Sequence, residues 1–379
     1  MAEADRLTLK IGSGVADVPA AAWDALHDGS NPFVSHAFLA LLEESGSVGP
    51  GTGWQAAPLM VEDAGGRLLA AAPAYVKVHS QGEYVFDHSW ADAWHLAGGD
   101  YYPKLQLAVP FTPVPGPRLL GRDADALALL VHGAEAVVRG NSLSSAHATF
   151  VVPDQMPLFE RAGWLPRRDI QFHFTNPGYR DFADFLATLT AARRKQLKKE
   201  RARAAEGLRL ENRSGAELTP ADWDAMWYFY QDTGARKWGQ PYLTRAAFDL
   251  LAERMMDRII MSLAYDGTAA VAGALHFIGA DTLYGRYWGA RADIPFLHFE
   301  LCYYQAIDIA IARRLKTVEA GAQGGHKLAR GYAPVATWSA HYIANPGFRR
   351  AVAEFLERER AAEEVEADWL ARHLPYRKA

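Results

Sequence analysis

The alternation of apolar and polar positions changes period three times between residues 282 and 336, TLYGRYWGARADIPFLHFELCYYQAIDIAIARRLKTVEAGAQGGHKLARGYAPVA. TLYGRYW alternates, which predicts a strand with Tyr284, Arg286 and Trp288 on one face and Leu283, Gly285 and Tyr287 on the other. After a turn, residues 296–314 predict a helix with Asp293 as N-cap and Pro295 in the first turn. Its apolar positions surround almost the whole circumference, so it is expected to be buried. TVEAGA then predicts a short strand with Glu319 and Gly321 on one face, running into a polar loop with Gln323, His326, Lys327 and Arg330. A carboxylate on a core strand beside a glycine-rich polar loop is a place to expect chemistry.

Elsewhere the periods predict strands and helices in alternation. The first half reads as a strand over 6–11, helices over 19–28 and 31–46 with Ser35 capping the second, and a hairpin over 54–78 turning at DAGG. Residues 79–104 are polar and aromatic together and carry Glu83, Asp87, His88, Tyr101, Tyr102 and Lys104. A strand, a proline-rich loop ending in Arg118, a helix, a strand and a helix complete that half. The second half opens with a strand near 169–175 and a helix over 181–207, apolar first and basic later. Two further helices, three antiparallel strands over 259–290 and charged helices at the C-terminus follow. Both halves share the order hairpin, helix, strand, which predicts two copies of one α/β (α+β) unit with mixed sheets. The expected domains are 1–165 and 166–345, followed by a helical segment, 346–379.

Composition sharpens this picture in three places. With 379 residues, half of them hydrophobic, two cores of ordinary size are expected. The net charge of −4 gives no whole-molecule attraction to nucleic acid or anionic lipid, yet residues 193–203 place Arg193, Arg194, Lys195, Lys198, Lys199, Arg201 and Arg203 against Glu200 alone. This run is either a solvated helix end favoured by the dipole or a phosphate-binding face. The single cysteine, Cys302, excludes an internal disulfide and a thiolate-rich zinc site. The N-terminus lacks an apolar signal core and no apolar run is long enough to span a membrane, so a cytoplasmic protein is expected.

Among candidate sites, His298 and Glu300 resemble an H-x-E zinc motif but lie about 200° apart on a helix, and no C-x-x-C accompanies them. His298 and Cys302, four residues apart, read as a core histidine beside a small apolar thiol, and no metal is expected. G-x-S-x-G, Walker A and H-E-x-x-H are all missing. Glu319 is either a buried general base for an attacking amine or the partner of Arg286 or Lys327 in a salt bridge. Lys327 and Arg330 are either an anion grip or parts of a structural loop. Glu83, Asp87, His88 and Lys104 either stitch an interdomain contact or line a ligand cleft.

The run AARRKQLKKERARAAEGLRLE, the strands AAVAGALHFIGADTLYGRYWGA, the helix HFELCYYQAIDIAIARRLK and the stretch TVEAGAQGGHKLARGY resemble, in that order, the second domain of the Fem-type peptidoglycan bridge transferases. NPFVSHAFLALLEESGSVG, HSQGEYVFDHSWADAW, YYPKLQLAVPFTPVPGPRLL and GAQGGHKLARGYAPVATWSAH extend the likeness over most of the chain, to the FemAB-like predicted N-acyltransferases of the GNAT superfamily, a bacterial family described as peptidoglycan biosynthesis/recognition. The resemblance implies two tandem GNAT-like domains and transfer of an acyl or aminoacyl group to an amine, small or on a peptidoglycan precursor. By similarity Lys327 replaces a lysine that contacts a precursor's diphosphate, although His326 stands where the family has phenylalanine. The glycine loop that binds the pyrophosphate of acetyl-CoA in GNAT enzymes is replaced by ARADIPF, whereas Fem-type enzymes take aminoacyl-tRNA as donor; acyl-CoA and aminoacyl-tRNA both stay open.

The expected activity is therefore N-acyl transfer by positioning and hydrogen bonding. Glu319, or a group from Glu83, Asp87 and His88, would take the amine's proton. Arg286, Trp288, Gln323, His326, Lys327, Arg330, Tyr102 and Lys104 would bind substrate, and Arg193, Arg194, Lys195, Lys198 and Lys199 would bind phosphate or tRNA. The rivals are a non-catalytic GNAT-fold protein that recognises a cell-wall precursor or other amine, and a CoA-dependent acetyltransferase of small amines. Oligomeric state is left open by the sequence.

Overall fold

The computed structural model describes residues 7–238, 241–321 and 325–377. The chain forms two units, Met1–Asp169 with Ala336–Val365, and Ile170–Val335 with Glu366–Ala379. The first division falls near the expected 165/166. Residues 336–365, however, return to the first unit instead of closing the second. Strand Ala333–Ile343 pairs antiparallel with Ser145–Val151, and the following helix packs Val352 and Leu356 in one cluster with Trp90 and Tyr101.

In the first unit two prolines decide the layout. The expected hairpin is present, but each of its arms is cut in two, giving Trp54–Ala56 and Leu59–Glu62 on one side and Leu68–Ala72 and Ala74–Lys77 on the other. Pro58 and Pro73 sit at the cuts, where neither can donate to a ladder. The halves next to the turn, Leu59–Glu62 and Leu68–Ala72, join a small sheet with Thr8–Ile11 and Leu120–Gly121. The other halves join a sheet ordered Trp54–Ala56, Ala74–Lys77, Lys104–Leu107, Ser145–Val151, Ala333–Ile343, in which Lys104–Leu107 and Ser145–Val151 run parallel. Helix Ala124–Gly140 buries Leu130, Val131 and Ala134 against residues of both sheets, including Val61 and Leu107. Ser35 caps helix His36–Glu44, as the sequence suggests, accepting from the Phe38 N–H.

The second unit carries the three expected antiparallel strands, Ile259–Asp266, Ala269–Ile278 and Thr282–Ala290, with Arg209–Ser214 added before them. Thr317–Glu319 then joins parallel to Thr282–Ala290 and antiparallel to Leu165–Thr175, so the sheet is mixed. The predicted basic helix is broken into Phe182–Thr188 and Ala191–Ala204, with the Thr190 N–H turned to the Pro375 carbonyl. The buried helix also departs from expectation. It starts at Leu297 behind Phe296, whose φ is 66°, so Asp293 is not the N-cap and Pro295 precedes the first turn. It then widens into a π turn over Glu300–Tyr304 before resuming as Gln305–Ala312.

Candidate functional site

The site in the second unit is a wedge between two strands that start side by side and part. Thr282, Leu283 and Tyr284 pair with Thr317, Val318 and Glu319, and the ladder ends there. Two local features end it. After Glu319 the chain reaches Gly321, whose φ of 78° takes it out of the sheet. On the other strand the register slips, so that Leu275 faces Tyr287 while His276 faces Gly285, which leaves Arg286 as an extra residue. The predicted alternation is therefore interrupted at Arg286. Gly285, Arg286, Tyr287 and Trp288 all line one cavity of about 130 Å³, closed on the far side by Ala320 and Gly321.

The buried helix supplies the remaining wall through His298, Cys302 and Tyr303. Residues five apart in a regular α-helix diverge by about 140°, and the wider π turn over Glu300–Tyr304 lets Cys302 and Tyr303 share the side of His298. The expected core pairing of His298 and Cys302 is thus corrected to a pair on a cavity wall. The Tyr303 hydroxyl lies 2.9 Å from Nε2 of the exposed His326, and burial keeps its pKa far above the ordinary tyrosine value. Trp288 stands edge-on to His298 at 5.1 Å.

Glu319 is half-buried as a residue, but its Oε2 is sealed from solvent and has no hydrogen-bond partner among the described residues. Burial pushes its carboxyl up to about 8, with the nearby Arg286 charge acting in the opposite sense. His276, fully buried on the strand beside the wedge, is pushed down to about 4 by burial, so it is neutral.

The basic residues of the loop are placed differently from expectation. Lys327 is 1% exposed and donates to the Gly321 carbonyl at 2.7 Å, and burial lowers its ammonium to about 8. An ammonium so enclosed does not meet a diphosphate in this arrangement. Arg330 is also buried, tied to Glu200 at 2.8 Å and to the His326 carbonyl at 2.7 Å, with Phe299 stacked on its guanidinium at 3.4 Å. It fastens the loop to the basic helix instead of gripping a ligand. Gln323 lies outside the described residues.

On helix Ala191–Ala204, Arg193, Lys195, Lys198 and Lys199 are exposed and Arg194 is half-buried. Glu200 faces inward to Arg330, Tyr304 and Gln196, so the run's one carboxylate does not neutralise its outer face. Arg201 leaves that face and binds Glu300 and Asp308 at 2.8 and 2.6 Å.

The polar stretch of the first unit turns inward. Lys104 contacts Ser80, Glu83 and Asp87 at 2.8, 2.7 and 2.6 Å, and Lys77 pairs with the other oxygen of Glu83. All four charged groups are almost fully buried. Desolvation raises Asp87, but Lys104 and His147 outweigh it and hold the carboxyl well below its usual range. Tyr101 joins Asp87 at 2.7 Å, and beyond it Nδ1 of His147 and Nδ1 of His341 meet at 2.7 Å. The Tyr102 hydroxyl meets Ser80 Oγ at 2.7 Å with Lys104 over its ring, and His88 is exposed at the start of helix His88–Leu96, stacked on Phe86. Glu83 and Asp87 are thus the acids of a closed ion network, so the expectation that one of them takes the amine's proton is corrected, and the exposed His88 stands outside that network. Sequence reasoning missed Lys77, His147 and His341 here and Tyr303 at the wedge. Alternation in SAHATFV and TWSAHYI, which puts a histidine among small residues on two strands, was the available signal.

The sequence matches the FemAB-like family, described as peptidoglycan biosynthesis/recognition, over residues 14–378. The chain belongs to that family. No curated protein matches it. Among solved structures, this FemAB-like chain is similar to FemX, with a TM-score of 0.54 and 11% identity over 89% of this chain and 98% of that one. A conserved protein of unknown function from Bacteroides thetaiotaomicron aligns with a TM-score of 0.50 and 12% identity over 88% and 100% of the two chains. At such identity the likeness concerns the fold alone. Among the described residues no helix is long and apolar enough to cross a membrane, and no group of three or more His, Cys, Asp or Glu is placed to hold a metal ion.

Proposed function

We propose that this FemAB-like protein transfers an acyl or aminoacyl group from an ester or thioester donor to an acceptor amine, with the chemistry in the wedge of the second unit. The observation that carries the reading is Glu319, a buried carboxyl raised to about 8 at the end of the strand whose next two residues, Ala320 and Gly321, line a small cavity. An amine is a nucleophile only once its proton is gone, and a carboxylate with an affinity for protons near neutrality is suited to take it. The Tyr303 hydroxyl, kept protonated by burial and 2.9 Å from His326 Nε2, would hydrogen-bond the leaving group.

The donor reading favoured by the surface is aminoacyl-tRNA. Arg193, Lys195, Lys198 and Lys199 form an outward cationic face suited to a polyanion. At the helix start, where a CoA pyrophosphate loop would lie, Phe296 occupies the cap and the Leu297 N–H is bonded to the Ile294 carbonyl. The acceptor in this reading is an amine of a peptidoglycan precursor, supported by the family's description as peptidoglycan biosynthesis/recognition, and the reaction would run in the cytoplasm.

Thermal shift with charged tRNA, uncharged tRNA and acetyl-CoA, at low and high salt, tests the donor. Charged tRNA is expected to raise Tm in a salt-sensitive way that Lys195→Glu with Lys198→Glu abolishes. Stabilisation by acetyl-CoA alone would replace this donor. Retained precursor binding with no amide formation from any donor would favour a recognition protein.

A further inference from the structure

One face of the first unit's sheet is polar. Lys77, Lys104, Gln106, His147, Thr149 and His341 stand side by side on it, from four strands, and all six are buried. The opposite face is apolar, with Leu105, Leu107, Ala146 and Ala148 in the core. The polar face is covered by residues 78–87, which form neither helix nor strand, and by the helix His88–Leu96 that follows. This cover is inside out. Glu83 and Asp87 turn inward and are 4% and 2% exposed, whereas Val78 and Phe86 are 59% and 48% exposed. A cover is ordinarily held down by the apolar area it removes from water. Val85 is the one fully buried aliphatic side chain of residues 78–87, so lifting them would wet chiefly ions and polar groups. The fit is also incomplete. Asp87 Oδ1 and Trp90 Nε1 on the cover and Gln106 Oε1 on the sheet are buried without a hydrogen-bond partner among the described residues, and each such atom calls for an explanation. Tyr84, in the middle of the segment, has a φ of 57°, a conformation that bulky side chains rarely adopt. Glu83 and Asp87 both reach the Lys104 ammonium, at 2.7 and 2.6 Å, and the other oxygen of Glu83 reaches Lys77. Two carboxylates converging on two ammonium groups of the sheet are a template for a ligand with the same two groups.

We propose that this sheet face is a binding site for a small dicarboxylate, and that residues 78–87 hold its place with Glu83 and Asp87 until the ligand displaces them. Lys104 then bridges the ligand's two carboxylates and Lys77 takes the outer oxygen of one. Gln106 Oε1 accepts from a hydroxyl or amide on the ligand. The exchange conserves charge, two carboxylates for two, so neither lysine is left buried and unpaired. Glu83 and Asp87 return to water, and Val78 and Phe86, already exposed, lose no burial. The site lies within the first unit, and its occupation does not depend on the transfer reading above.

The test titrates the full chain with succinate, glutarate, acetate and pyrophosphate at matched ionic strength, reading Tm and the hydrogen exchange of peptides over residues 78–87. Succinate or glutarate is expected to raise Tm while amides of 78–87 exchange faster, because the ligand stabilises the sheet and frees its cover. Acetate at the same ionic strength should do neither. Glu83→Gln loosens the cover and keeps both lysines, so it should bind the dicarboxylate about tenfold more tightly than the natural chain. Lys77→Gln should weaken binding by a factor on the order of 10², and Glu83→Gln carries the comparison if the lysine variant does not fold. Stabilisation by none of the four anions overturns the site. Acetate acting as well as the dicarboxylates overturns the pairing of two carboxylates, and pyrophosphate acting alone overturns the ligand class. A dicarboxylate that binds while exchange over 78–87 stays the same or slows overturns the displacement, as does weaker binding to Glu83→Gln.

Discussion

At the residue scale, the behaviour of the two units is set by what burial does to single ionisable groups. Glu319 is pushed up to about 8, so it is protonated over most of the neutral range. Amide formation is expected to rise with pH along a limb whose midpoint is near 8, and Glu319→Gln should lower the rate on the order of 10²–10⁴-fold and erase that limb. The pH profile of kcat/KM checks it, and a limb that survives the substitution assigns the base elsewhere. His147 shows the opposite shift, since burial and then the Lys104 charge lower it from 6.5 to about 3. Its neutral form belongs to the folded state, so the unfolded chain takes up the proton first. The stability it contributes is complete above about 6.5 and is lost as pH falls through the interval to about 3. Urea unfolding across that interval should show the decline, and His147→Gln should flatten it. Glu319 and its setting were legible in the sequence because one acid interrupts an apolar strand. The partners of Glu83 were not, because Lys77 and Lys104 face it from two strands whose pairing no local pattern discloses.

At the scale of elements, strands were read correctly where alternation was unbroken, and departures cluster where one residue changes the geometry. Pro58 and Pro73 divide the hairpin between two sheets, Arg286 is the inserted residue of the bulge, and the π turn over Glu300–Tyr304 is invisible to an apolar pattern that covers every side of the helix. The π turn is fastened from outside. Arg201 reaches from the basic helix to Glu300, which is 1% exposed, and to Asp308 one turn beyond Tyr304. Arg201→Met leaves that carboxylate buried and uncompensated, so it should cost about 3 kcal/mol of unfolding free energy. Adding Glu300→Gln should restore part of the loss in urea titrations. Full additivity of the two changes would show that the pair does not act as a unit.

At the scale of the whole molecule, the duplicated α/β architecture was readable because both halves repeat the same order of elements, whereas the crossing of the chain between units was not. The first unit needs residues that follow the second in sequence. A fragment ending at Asp169 lacks strand Ala333–Ile343, so one edge of Ser145–Val151, every residue of which is buried in the intact protein, is left open. Such an edge pairs with other chains. The fragment is expected to aggregate on expression, and co-expression of residues 330–379 should increase its soluble yield.

That late strand also orders events during synthesis. A ribosome that has delivered the whole of Met1–Asp169 still holds back the strand that completes its sheet, and the Ile170–Val335 stretch is translated in the interval. At about 5–20 residues per second, the nascent first unit waits on the order of ten seconds or more with an unfinished edge, a window in which a chaperone has something to hold.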